Sequence, residues 1–348
     1  MSGARSRRCG LRAAALAVSL ALAGGVGARD VTDLYSATVA IQDRSTAELA
    51  RAAQQALVQV IVKLTGARSS AGDARIKSVL RSASKLMLQY AYGKAVDGSL
   101  TLSAEFDAEE LARELDASGI GVWGKERPDT LVWLIIDTGV GRRIVTSDEP
   151  EALATAAAQR AQARAVPVLL PLMEIEDTQR LSAAIAWPAL ADAAHELGRR
   201  YATPATLVGH VIQSASSAWS VRWRLFLDGE TLDWTQQGEL PEQLVADGID
   251  GLGDALGRRY ATPAMLAGSA RLRVTVVGVR SAEDYARVAN YLGSLDSLRD
   301  TFVVSVSGAQ VVFDVTARGG RAALAQAIGF GNLLAPVPAQ TDVYELRP

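Results

Sequence analysis

The sequence predicts an α/β (α+β) chain of three small sheet-and-helix domains, the last resembling a ferredoxin-like half-sandwich. Runs of strand length, alternating or continuously apolar, take turns with longer runs whose apolar residues fall three and four apart. The 348 residues, 49% of them hydrophobic, are enough for two or three separate cores. In addition, GRRYATPATLVG, starting at Gly198, returns as GRRYATPAMLAG, starting at Gly257, which reads as the same exit from a helix made twice. The expected boundaries are 1–28 for a signal peptide, 29–124 for an N-terminal domain, 125–268 for a middle domain, and 269–348 for a C-terminal domain with its tail.

The first segment reads as an export signal. Arg5, Arg7, Arg8 and Arg12 precede the apolar stretch LRAAALAVSLALAGG, and Val26, Gly27 and Ala28 supply small residues for a cut after Ala28. The apolar core is about a dozen residues, short of the roughly twenty that span a bilayer. Cleavage removes Cys9, the only cysteine, and four arginines, taking the formal charge from −2 to −6. Disulfide, thiol and cysteine-metal chemistry are then excluded from the mature chain. Mild acidity without a basic run argues against nucleic acid. No later segment is long and apolar enough to span a membrane, so the expected location is periplasmic or otherwise exported.

The elements follow in order. In the N-terminal domain YSATVAIQ alternates as a strand, and Asp43 and Ser45 precede a helical stripe, Leu49 to Leu64, that ends at Gly66. A second helix is expected over 73–92, then a strand leading to a third helix capped by Asp107. In the middle domain DTLVWLIIDT is a buried strand, EPEALATAAAQRAQARA a helix and VPVLLPL another buried strand. ALADAAHELGRRY is helical, Pro204 stops it, and TLVGHVIQ runs on as a strand. In both copies of the repeat two arginines occupy the last helical turn, where positive charge is favourable, and the tyrosine can cover the core edge. SSAWSVRWRLFLDGETLDWTQQG reads as a hairpin turning at Asp228, Gly229 and Glu230. The C-terminal domain runs strand, helix capped by Ser281, strand, strand, helix, with LLAPV or VYEL adding a last strand.

Candidate sites are few. Trp219, Trp223 and Trp234 cluster on the hairpin and, if exposed, offer an aromatic surface to a partner, with Arg222 beside them; if buried, they are wedges between sheet and helix. Asp137 ends one strand, and Glu174, Glu176 and Asp177 follow another. If Asp137 and Asp177 converge, they offer a divalent-cation site or an acid–base pair; otherwise they are loop acids and a helix cap. His195 and His210 lack metal-binding spacing, and no GxSxG elbow is present. No catalytic, cofactor-binding or metal-binding residue is therefore expected.

LYSATVAIQDRSTAELARAAQQALVQVIVKLTG, EFDAEEL, ERPDTLVWLIIDTG, VPVLLPLMEIEDTQRL and WRLFLDG together resemble the bacterial exported family DUF2066. AHELGRRYATPATLVGHV, followed by a tryptophan-bearing hairpin, resembles the small α/β module of TolB N-terminal-like envelope proteins, which dock onto partners. The DUF2066 resemblance transfers no catalytic residue; the missing catalytic motifs, with the docking that the TolB-like resemblance implies, favour a non-enzymatic accessory or scaffold protein that binds a cell-envelope protein and carries no cofactor. The alternative is an envelope hydrolase or cation-dependent binding protein built on Asp137 and Asp177.

Overall fold

The computed structural model describes residues 29–30, 33–139, 141–147, 151–174, 177, 179–181, 186–214, 218–261, 269–295 and 297–347. The signal peptide expected over 1–28 lies outside them. Three mixed sheet-and-helix regions follow one another along the chain, each with a buried apolar core.

The N-terminal region contains β1 (Arg29–Asp30), β2 (Ser36–Ala40), the helix Thr46–Thr65, β3 (Met87–Lys94), β4 (Leu100–Phe106) and the helix Ala108–Ala117. The first helix starts where the sequence places it. The Ser45 hydroxyl accepts from the Glu48 N–H, and the Glu48 carboxylate accepts from the Gln42 N–H. It ends at Gly66, whose φ of 69° is open to glycine at little cost. Its buried stripe of Ala53, Leu57, Val60, Ile61 and Leu64 packs on an antiparallel sheet of order β2-β4-β3. Asp107 caps the second long helix through the Glu110 N–H.

The helix expected over 73–92 is corrected. Short helical turns, Arg68–Gly72, Ala74–Ile76, Lys77–Arg81 and Ala83–Leu86, give way to a strand at Met87. Ile76, Ala83 and Leu86 fill the core as the helical spacing implies, but beyond Leu86 the backbone pairs with β4 and leaves Leu88 and Tyr90 exposed. Completion of the sheet overrides local periodicity there.

The middle region contains β5 (Glu126–Arg127), β6 (Thr130–Asp137), β7 (Arg142–Ile144), the helix Ala152–Arg164, β8 (Val168–Leu169), the helix Trp187–Gly198, β9 (Ala205–Gln213), β10 (Trp219–Leu227), β11 (Glu230–Gly238) and the helix Pro241–Tyr260. The sheet runs β11-β10-β9-β6-β7, with β8 paired to β6. β6 is parallel to β8 and β9, and the remaining pairs are antiparallel. Helices cover both faces, which explains the uninterrupted apolar run in β6. Val132, Leu134 and Ile136 join the core shared with Pro241–Tyr260, while Leu131, Trp133 and Ile135 join the core under Trp187–Gly198. The strand expected from VPVLLPL shrinks to two half-buried residues between Pro167 and Pro171, because proline cannot donate to a ladder.

The C-terminal region contains β12 (Ser269–Val277), the helix Ala282–Ser294, β13 (Leu298–Ser307), β14 (Gln310–Arg318), the helix Gly320–Phe330, β15 (Leu334–Pro336) and β16 (Val343–Leu346). Ser281 and Asp284 form a reciprocal capping box. The sheet order is β13-β14-β12-β16-β15, and β16 runs parallel to β12. Both terminal candidates, LLAPV and VYEL, therefore contribute a strand.

Buried arginines and close-packed glycines join the first two regions. Arg127 is fully buried and donates to the carbonyls of Lys63, Trp123, Gly124, Arg164 and Ala165, so its desolvated charge meets five oxygens. Arg164, 4% exposed, donates to Asp250 Oδ1 at 2.8 Å, Asp254 Oδ1 at 2.9 Å and the Gly66 carbonyl at 2.6 Å. Gly66 and Gly257 touch backbone to backbone: a Cβ on Gly257 would lie 2.7 Å from the Gly66 Cα. Among the described residues no helix is long and apolar enough to cross a membrane.

Candidate functional site

The two strand-end carboxylates are held by different arginines. Asp137, at the end of β6, accepts the Gly139 N–H at 3.0 Å and lies 3.6 Å from Arg142 and from His210 Nε2. The Gly139 N–H, helped by Arg142 and His210, holds its carboxyl below the usual range. Burial, with Arg142 nearby, pushes His210 down, so its imidazole is neutral at pH 7. Asp177 is fully buried; its Oδ2 accepts from the Glu174 N–H at 2.9 Å and from Arg200. Each acid already faces a guanidinium, and among the described residues the partners of one are not those of the other. Glu176 lies outside the described residues. Among the described residues no group of three or more His, Cys, Asp or Glu is placed to hold a metal ion.

The hairpin turns at Asp228 and Gly229, with φ of 50° and 79°, and its three tryptophans face inward. Trp223 is 0% exposed, sits opposite Trp234 in the ladder and stacks with it at 6.1 Å between ring centroids. Its indole N–H donates to Gln236 at 2.9 Å. Trp219 and Trp234 are half-buried against the same core. The exposed aromatic surface considered from the sequence is corrected for Trp223: the ring fills a slot between Gly209 of the adjacent strand and Gly248 of the covering helix. Arg222 is exposed on the opposite face, as strand alternation requires.

Two features escaped sequence reasoning. The first is β13, an edge strand bonded among the described residues only to β14, on which Phe302, Val303, Val304 and Val306 are all exposed, Phe302 by 67%. Its ladder slips between Leu298 and Asp300 and again between Val303 and Ser305. The second is a cavity of about 540 Å³ where the three regions meet. Trp123, Tyr260 and Phe330, one from each region, line it as a chain of rings, with centroids 6.2 Å apart for the first pair and 5.0 Å for the second. Gln326 donates to the Tyr260 carbonyl at 3.3 Å, tying the C-terminal region to this junction. The sequence signal for β13 was its apolar content, DTFVVSVSG; the cavity had none beyond Tyr260 belonging to the repeat.

Comparison with known proteins corrects the family resemblance. Residues 28–124 match the family model described as a domain of unknown function, DUF8605. This match, not DUF2066, covers the stretch LYSATVAIQDRSTAELARAAQQALVQVIVKLTG, and the periplasmic placement that accompanied the DUF2066 resemblance loses that support. No curated protein matches the chain. Similar solved structures include a competence or damage-inducible protein from Enterobacter asburiae, 13% identical, with a TM-score of 0.24, over 42% of this chain and 94% of that one. Others are CinA-superfamily proteins from Klebsiella pneumoniae (16%, 0.23, 43% and 92%) and Escherichia coli (13%, 0.22, 43% and 86%). The comparisons return no TolB-like module, so that resemblance is not supported, and scores this low establish no shared fold.

Proposed function

We propose that this protein is an exported, non-enzymatic accessory that holds an extended strand of a partner protein against β13. The observation carrying the reading is the row of exposed apolar side chains, Phe302, Val303, Val304 and Val306, on a strand whose outer edge has no neighbour among the described residues. A long apolar edge exposes backbone donors and acceptors beside apolar surface, a combination that promotes strand addition. The occupant that fits is an extended segment with apolar side chains at alternating positions, its backbone completing the ladder. We further read the C-terminal region as a ferredoxin-like half-sandwich in which β16 is an added parallel strand beside β12. Export rests on the arginine-led apolar segment before Ala28.

The test places a photoreactive residue at position 302, with a control at exposed Gln159, in cells producing the protein. The expected result is a discrete adduct with another protein at 302 alone, lost when Val304→Pro interrupts the edge while circular dichroism stays unchanged. An adduct only with a second copy of this chain, or none at 302, overturns the reading.

A further inference from the structure

The junction cavity combines three properties of a small-molecule site. Its volume of about 540 Å³ falls within the range that takes a drug-sized ligand. Tyr260 and Phe330 supply a right-angled aromatic corner, with an interplanar angle of 86°, and Leu295 adds aliphatic surface. Arg318, Ser297 and Trp123 line the cavity, and their Nε, Oγ and Nε1 atoms, buried just beneath its surface, have no hydrogen-bond partner among the described residues, so a ligand reaches them once the Arg318 and Ser297 side chains turn toward the lumen. Such donors carry a desolvation cost that a ligand acceptor would offset.

Position and charge identify the acceptor. The Arg318 backbone N–H donates to the Ser297 carbonyl at 2.7 Å, so these two residues are neighbours on one wall. That wall, from the C-terminal region, carries Arg299 and Arg318 and no acid among its lining residues. The rest of the lining mixes Glu109, Asp116 and Glu126 with Arg113 and Lys125, so the C-terminal wall is the part whose charged residues are all positive. A guanidinium beside a hydroxyl matches a carboxylate, whose oxygens accept from both. We propose that the cavity binds a small organic carboxylate with a flat apolar body, its carboxylate on Arg318 and Ser297 and its body on Tyr260 and Phe330. The site draws its walls from all three regions, so occupancy would also brace their arrangement.

Isothermal titration of the purified protein with 1-naphthoate, and in parallel with neutral 1-naphthamide, tests this. The expected result is saturable one-site binding of the acid, at least tenfold tighter than the amide. Arg318→Gln should abolish that discrimination, and Phe330→Ala should weaken both ligands while preserving it. If Arg318→Gln unfolds the protein, Ser297→Ala, which removes only a hydroxyl, must weaken the acid without weakening the amide. Absence of saturable binding, equal affinity for acid and amide, or unchanged discrimination in the interpretable variant overturns the proposal.

Discussion

Gly248→Ala should destabilise the middle region by about 2 kcal/mol, against the ordinary preference for alanine in a helix. A Cβ at position 248 would lie 2.0 Å from Trp223 Cζ2 and 2.2 Å from Cε2, well inside the 3.4 Å at which ordinary contact begins. The ring cannot retreat, because a Cβ at Gly209 on its other side would already meet Cζ3 at 2.4 Å, and its N–H is held by Gln236. The helix or the sheet must shift instead. Overpacking of this kind costs about 1–3 kcal/mol, and confinement on two sides puts the cost at the upper end. Replacing glycine within a helix returns up to about 1 kcal/mol, leaving the net loss near 2. Urea unfolding followed by tryptophan fluorescence would read it as a lower midpoint. Gly293→Ala is the internal control: nothing lies within 4 Å of a Cβ there, so propensity should prevail and stability hold or rise. If the two variants behave alike, Trp223 is not wedged between these glycines, and the structural role assigned to it fails.

Two further outcomes follow from the junction between the first two regions. Although burial opposes it, the Arg68 N–H and the Arg164 and Arg68 side chains hold the Asp254 carboxyl below its usual range. Its contribution is therefore present above the unfolded pKa of about 3.9 and disappears as pH falls through the lower folded value. Asp254→Asn should cost about 1.5–3 kcal/mol at pH 7, and its difference from the native chain should shrink on acidification; a pH-independent difference in urea midpoints would refute this. Gly257→Ala forces a Cβ to within 2.7 Å of the Gly66 backbone, so it should part the N-terminal region from the middle one. Faster limited proteolysis around 66–72 would register the separation, and native-like resistance would count against it.

Legibility in the sequence followed how local each determinant was. The Thr46–Thr65 helix could be read because its cap, its stripe and its terminal glycine all lie within one stretch. The hairpin could be read because Asp228 and Gly229 carry their own turn chemistry. By contrast, the helical reading of 73–92 runs over the short alternation Leu88, Tyr90, Tyr92, and the strand Met87–Lys94 is fixed by pairing with β4, which begins at Leu100. The burial of Trp223 was open for a related reason. Alternation put it on one face with Trp219, but the depth of the slot depends on Gly209 and Gly248, which only the folded chain brings together. Asp177 was visible as an acid near a strand end, yet its partner Arg200 lies 23 residues away, so the sequence offered a cation site or acid–base pair against loop acids and a helix cap, and not the buried ion pair.

The repeated GRRYATPA stretch shows how one local solution serves two places. In each copy the leading glycine permits a close approach: a Cβ on Gly198 would meet Leu131 Cδ2 at 2.8 Å, and one on Gly257 would meet the Gly66 backbone. In each, the second arginine lies over the ring of the adjacent tyrosine, at 5.2 Å for Arg200 and 5.9 Å for Arg259, and engages an aspartate from another element. Arg200 takes Asp177, and Arg259 takes Asp228 at 2.7 Å. The tyrosines then diverge. Tyr201 uses its hydroxyl on the backbone of Leu172, whereas Tyr260 donates to Asp228 and turns its ring between Trp123 and Phe330. The shared part, glycine contact plus arginine–tyrosine clamp, is what a helix end needs to dock, and it accounts for the sequence echo without a ligand. The unshared part is the aromatic junction at Tyr260. The second copy's departure from the first is therefore what gives the junction cavity its aromatic wall.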